Sequence, residues 1–213
     1  MTTLYLIRHC ETVANETHLL QGSRDFPISE RGKRQLEYLG KRFDGVEYDT
    51  LYSSPQPRAL ATAEAVRGVR DIGIITDEGL MEMNCGKYEG EPLFEHFKKD
   101  PDLEYKWKKR PDLLSLEGGE SAPGVFARVK NAVLKIVKEN RGKTVAVASH
   151  GFAIRCMLSY LEYGCVEKLG DVEISGNTSV SKIEFYDDGG HKIVYANDVS
   201  HLPDELKTFF KSK

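Results

Sequence analysis

The chain has 213 residues, 40% of them hydrophobic and 30% charged, a composition expected of a soluble globular protein. Thirty Lys and Arg against thirty-three Asp and Glu give a net charge of −3, so nothing in the balance points to nucleic acid or to a membrane surface. No apolar run approaches the ~18 residues of a membrane span, and residues 1–8 lack the basic region and apolar length of a signal peptide.

Residues 3–8 form a short apolar run and read as a buried strand. Ser29 is placed to cap a helix starting at Glu30, with Leu36, Leu39 and Phe43 on one face. Residues 48–52 read as a second strand, ending at Ser53-Ser54-Pro55. There Ser54 and Pro55 suit the N-cap and first position of a helix carrying Arg58, Ala59, Thr62, Ala63 and Val66. Residues 72–76 read as a third strand. Residues 91–120, rich in charge and proline and holding the only Trp, break the alternation and read as an insertion lying over the carboxyl edge of the sheet. Ser121 begins a long helix to about residue 140, with Val125, Val129, Val133, Ile136 and Val137 on its apolar face. Residues 143–149 form a strongly apolar strand, followed by a helix over about 152–161. Residues 179–186 and 192–196 read as a hairpin around Asp187-Asp188-Gly189-Gly190. The pattern predicts an α/β fold: a three-layer α/β/α sandwich with a mostly parallel central sheet and a short lid insertion, forming a single domain over residues 1–213.

Two strand ends carry chemistry. The first strand runs into Arg8 and His9, and the strand over 143–149 runs into His150 and Gly151. The carboxyl edge of a parallel sheet is where open α/β folds bind ligands. Arg is a permanently charged fork for anions, and His can act as a covalent nucleophile. Together they indicate phosphate chemistry.

Arg8-His9-x-Glu11-Thr12-x-x-Asn15 resembles the opening motif of the histidine phosphatase superfamily, the phosphoglycerate mutase-like family. Gln21-Gly22 with Asp25-x-Pro27-Ile28-Ser29-x-x-Gly32 is similar to the next segment of that family. Ser53-Ser54-Pro55-x-x-Arg58-Ala59-x-x-Thr62-Ala63, Leu80-x-Glu82-x-x-x-Gly86-x-x-Glu89-Gly90, Gly119-Glu120-Ser121 and Ser149-His150-Gly151 resemble later ones in the same order. The resemblance covers nearly the whole chain and matches least over 91–118.

It implies that His9 attacks phosphorus and forms a phosphohistidine, and that Arg8, Arg58 and His150 surround the phosphoryl group. Asn15 would add a neutral donor, and Glu82 would serve as general acid and then base. Gln21, Gly22 and Gly151 would touch substrate. No metal or other cofactor is implied, because cationic side chains stand where a metal would. No H-x-H or H-E-x-x-H occurs that would favour a metal hydrolase.

The family hosts both phosphatases and cofactor-dependent phosphoglycerate mutases. Chain length, the short insertion and the tail Asn197-Asp198-x-Ser200-His201-Leu202 favour a phosphomonoesterase acting on a small phosphorylated metabolite. A non-catalytic phosphate-binding module is the reading from another class; it predicts loss of His9, Glu82 or an arginine, and none is lost.

His201 is expected to be structural, and His18, His96 and His191 to lie at the surface. Lys98, Lys99, Lys106, Lys108, Lys109 and Arg110, interleaved with Tyr105 and Trp107, read as a solvated basic helix face or as a recruiting lid for anions. Cys10 stands where the family usually has Gly. It reads as an inert small residue, or as a thiol whose pKa is lowered by nearby cations and which is then open to oxidation. Cys10, Cys85, Cys156 and Cys165 have no C-x-x-C spacing, so the expected compartment is a reducing cytoplasm. The edge strands of the 179–196 hairpin leave a homodimer open.

Overall fold

The structure, a computed structural model, describes residues 1–208. Leu4, Leu6 and Ile7 are buried on both faces of β1 (Thr2–Arg8), as expected of an interior strand. A single turn, α1 (Val13–Glu16), follows, capped by Thr12. The helix α2 (Glu30–Asp44) starts as the sequence predicts, with Ser29 Oγ accepting the Gly32 N–H at 2.9 Å. Its buried face is Gln35, Leu39 and Phe43; Leu36 is only partly covered. Gln35 can be buried because its amide is satisfied, accepting from the Glu11 N–H at 2.8 Å and donating to the Leu206 carbonyl at 2.8 Å.

After β2 (Thr50–Ser53), the helix α3 (Pro57–Arg67) begins two residues later than Ser54 and Pro55 suggest. Pro57, not Pro55, takes the first turn, and Gln56 is the N-cap. Ser54 is drawn instead into a contact with His150. A short β3 (Ile74–Thr76) completes this half.

The insertion holds two helices, α4 (Leu93–Lys99) and α5 (Pro101–Lys109), joined at Asp100, whose side chain caps α5. It is anchored, since Leu103 and Leu114 join the main apolar core. Its cations are largely paired on the helix surface: Lys98 with Glu95, Lys106 with Asp102, Lys108 with Glu104 and Arg110 with Asp112.

The helix α6 (Ala122–Glu139), capped by Ser121, leads to β4 (Thr144–Ser149), α7 (Gly151–Tyr163), β5 (Val180–Phe185) and β6 (His191–Asp198).

Among the described residues, six strands form one sheet in the order β3-β2-β4-β1-β5-β6. The contacts β3–β2, β2–β4 and β4–β1 are parallel, while β5 and β6 add an antiparallel edge. Leu39 and Phe43 of α2 with Ala63 and Val66 of α3 cover one face. Val125, Val129 and Val133 of α6 with Ala153 and Met157 of α7 cover the other, which completes the α/β/α layering. No described helix is long and apolar enough to cross a membrane.

Candidate active site

The strand register builds the site. In the parallel pair β1–β4, Arg8 lies opposite Ser149, so the next residues, His9 and His150, leave the sheet side by side. Their ring centroids are 5.2 Å apart. On the far side of β4, Ser53 of β2 lies opposite Ala148, which brings Ser54 next to His150; Ser54 Oγ is 2.8 Å from His150 Nε2. Three strand ends thus present Ser54, His150 and His9 in a row.

The tautomer of His9 is set locally. Its Nδ1 lies 2.6 Å from the Cys10 carbonyl, which can only accept, so Nδ1 carries the hydrogen and Nε2 keeps its lone pair. Burial, reinforced by the positive charges of Arg58 and Arg8, holds the His9 pKa well below the ordinary histidine range. Burial, Arg58, His9 and Arg8 do the same to His150. Both rings are therefore neutral at pH 7. The His150 Nδ1 is buried without a partner among the described residues.

The two arginines come from different elements and are almost fully buried. Arg8 Nη1 donates to the Ser175 carbonyl. Burial lowers its pKa to about 10, which still leaves it cationic. Arg58, in the first turn of α3, donates through Nη2 to the Gly22 carbonyl at 2.7 Å and through Nη1 to the Arg24 carbonyl at 3.0 Å. Gly22 has φ +54°, and a Cβ there would lie 2.2 Å from Glu89 Oε1. Glycine is thus needed at this position to turn its carbonyl to Arg58. Gly151 likewise lies against Arg8, whose Cζ would be 3.1 Å from an added Cβ.

Glu82 reaches the site from the loop after β3. Its carboxylate accepts the backbone N–H groups of Met83 at 3.0 Å, Phe152 at 3.1 Å and Ala153 at 3.2 Å. The last two belong to the first turn of α7, where helix polarity favours a negative charge. Asn15 is linked to the His9 carbonyl through Asn177. Gln21 is buried, and its Oε1 accepts the Thr12 hydroxyl at 2.6 Å. Arg8, His9, Asn15, Gln21, Gly22, Arg58, Glu82, His150 and Gly151 therefore gather around one centre.

Several supporting contacts escaped the sequence reading. Gln56 Oε1 accepts the Glu82 N–H at 2.8 Å. Arg128 of α6 donates to the carbonyls of Met81 at 2.7 Å and Glu82 at 3.0 Å. Glu89 accepts from Ser23 and Cys85 and so ties the Gly22 loop to the Glu82 loop. Gln56 and Arg128 have no local pattern that marks them. Glu89 and Ser54 stand in the motifs quoted above, Ser54 also as a helix cap, but neither motif indicates these contacts.

The oxidisable reading of Cys10 is overturned. The side chain is wholly buried, and burial pushes its thiol up to about 11 despite Arg58 nearby. His18 and His191 are exposed as expected, whereas His96 is partly buried with its ring centroid 4.9 Å from that of Tyr88. His201 is structural: its Nδ1 accepts from Arg42 at 3.0 Å, and burial lowers its pKa to about 4.

Comparison with known proteins gives the same picture. The chain is 32% identical over 157 residues to phosphoserine phosphatase 1 of Hydrogenobacter thermophilus, covering 74% of both chains. The solved structure of Bacillus stearothermophilus YhfR superposes with a TM-score of 0.88 at 36% identity, over 94% of this chain and 99% of that one. A mutant phosphoserine phosphatase from Entamoeba histolytica, solved with phosphoserine, matches with a TM-score of 0.83 at 28% identity, over 95% and 100% of the two chains. The family model of the histidine phosphatase superfamily (branch 1) matches residues 4–199, and the chain belongs to that family.

Proposed function

We propose that the protein is a metal-independent phosphatase that hydrolyses small phosphomonoesters through a phosphohistidine on His9. The observation that carries this reading is a neutral imidazole with Nδ1 engaged by the Cys10 carbonyl and Nε2 open, set beside Arg8, Arg58 and His150.

In this reading Arg8, Arg58, the partnerless Nδ1 of His150 and the amide of Asn15 hold the three phosphoryl oxygens. Charge spreads over these oxygens in the transition state, so fixed donors supply most of the catalysis. His9 Nε2 attacks phosphorus in line, and the P–O bond to the leaving group breaks. Glu82 gives its proton to the departing alkoxide, then takes one from the water that attacks the phosphohistidine. Water addition releases inorganic phosphate and restores neutral His9.

The Entamoeba phosphatase, solved with phosphoserine and with 3-phosphoglyceric acid, makes these two compounds the first physiological candidates to assay. The general test is hydrolysis of an aryl phosphate in the presence of chelator by wild type and His9→Ala. Turnover by wild type alone, with acid-labile phosphate trapped on His9, is expected. Equal turnover by both proteins refutes the assignment of the nucleophile, and chelator-sensitive turnover refutes the metal-independent mechanism.

A further inference from the structure

Behind the nucleophile, the loop before β5 makes a set of contacts that no sequence motif announced. The Asn177 side chain is fully buried. Its Nδ2 donates to the His9 carbonyl at 3.1 Å and to Asn15 Oδ1 at 3.2 Å. The neighbouring Thr178 N–H donates to the same His9 carbonyl at 3.3 Å, and the Arg8 N–H donates to the Ser179 carbonyl at 3.1 Å. From the outer side, Thr208 Oγ1 accepts the Asn177 N–H at 2.8 Å and donates to Asn177 Oδ1 at 3.0 Å.

We propose that Asn177 is a positioning residue that sets the amide of Asn15, turning the Asn15 Nδ2 toward the phosphoryl group. The proposal rests on the phosphatase reading above. Its logic is a chain of forced donor and acceptor roles. The His9 carbonyl can only accept, so it fixes the Nδ2 end of Asn177. That end can only donate, so Asn15 must offer it Oδ1. The Thr12 N–H, 3.2 Å from the same oxygen, makes the same demand from the other side. With Oδ1 held twice, Asn15 Nδ2 is left without a partner among the described residues. A flipped amide would break both contacts and present an oxygen to an anion.

Asn177 thus links two parts of the site, the segment bearing the nucleophile and the one neutral side-chain amide proposed to hold phosphate. Thr208 closes the relay from the end of the described chain.

The test is a double-mutant cycle. kcat/KM for an aryl phosphate and the inhibition constant of inorganic phosphate are measured for wild type, Asn177→Leu, Asn15→Ala and the double variant. Asn177→Leu is near-isosteric and removes the donor. It is expected to lower kcat/KM and weaken phosphate inhibition by about tenfold each, the scale of one hydrogen bond to a charged group. In the Asn15→Ala background the same substitution should weaken phosphate inhibition by less than about twofold, because the amide it sets is gone, and any remaining loss in kcat/KM belongs to its contact with the His9 carbonyl. Losses of phosphate inhibition that multiply overturn the proposal, as does a folded Asn177→Leu that binds phosphate like wild type. Should Asn177→Leu fail to fold, Thr208→Val decides: it removes only the outer hydroxyl. Weaker phosphate inhibition that disappears in the Asn15→Ala background supports the relay, and unchanged inhibition refutes it. A wild type that neither turns over nor binds phosphate removes the phosphatase reading and the proposal with it. Turnover lost in His9→Ala but unaffected in Asn177→Leu removes only the latter.

Discussion

In the proposed mechanism Glu82 carries both proton transfers. Its carboxylate is held by the Phe152 and Ala153 amides at the start of α7, and the weight of its proposed proton transfer depends on how basic the leaving group is. Replacing Glu82 with Gln keeps an oxygen for those amides and removes the transferable proton. The expected result is a loss of about 10²–10⁴-fold in kcat on an alkyl phosphate, whose alkoxide needs protonation, and a much smaller loss on an aryl phosphate with an acidic leaving group. Equal losses on both substrates, read from steady-state kinetics, would exclude the acid role. The placement of Arg8-His9 and Ser149-His150-Gly151 at adjacent strand ends was legible in the sequence. The tautomer of His9 was not, because it is set by the Cys10 carbonyl, and a backbone group leaves no trace in a sequence.

Among the elements, those with local signals were readable and those that answer to distant partners were not. Ser29 and Ser121 cap α2 and α6 where a cap residue precedes an amphipathic run. Ser54 and Pro55 carry the same kind of signal ahead of α3, but Ser54 is taken by His150, whose place depends on strand pairing rather than on neighbours in the chain. Gln35, which no local signal marks, is buried because Glu11 and Leu206 satisfy its amide. The docking of α2 also rests on Gly32, where an added Cβ would stand 2.1 Å from the Glu11 carbonyl oxygen. Gly32→Ala should therefore push the helix off the nucleophile loop. A stability loss of about 1–3 kcal/mol is expected by denaturant titration, with kcat/KM falling alongside. A stable and fully active Gly32→Ala would show that the contact relaxes without cost.

Over the whole molecule, the buried histidines make stability depend on acid. His9, His150 and His201 all have folded-state pKa values lowered first by burial, His201 to about 4. The unfolded chain binds protons on these rings at about pH 6.5, and the folded one does so only lower. Their contribution is thus fully present above about pH 6.5 and is lost as the pH falls through the window toward 4. Each contributes a slope of up to about 1.4 kcal/mol per pH unit, so denaturant midpoints should drop steeply below pH 6.5 and less steeply in His201→Gln. A midpoint independent of pH between 6.5 and 4 would contradict these burial effects. The sheet order has a different consequence, one of timing. Although β1 is the first strand made, its two neighbours are β4 and β5, so it has no partner until Thr144–Ser149 has been synthesised and is flanked on both sides only once Val180–Phe185 follows. In the proposed phosphatase the segment that bears His9 is therefore framed on both sides only after β5 is made, and regained turnover would report that the two ends of the polypeptide have met.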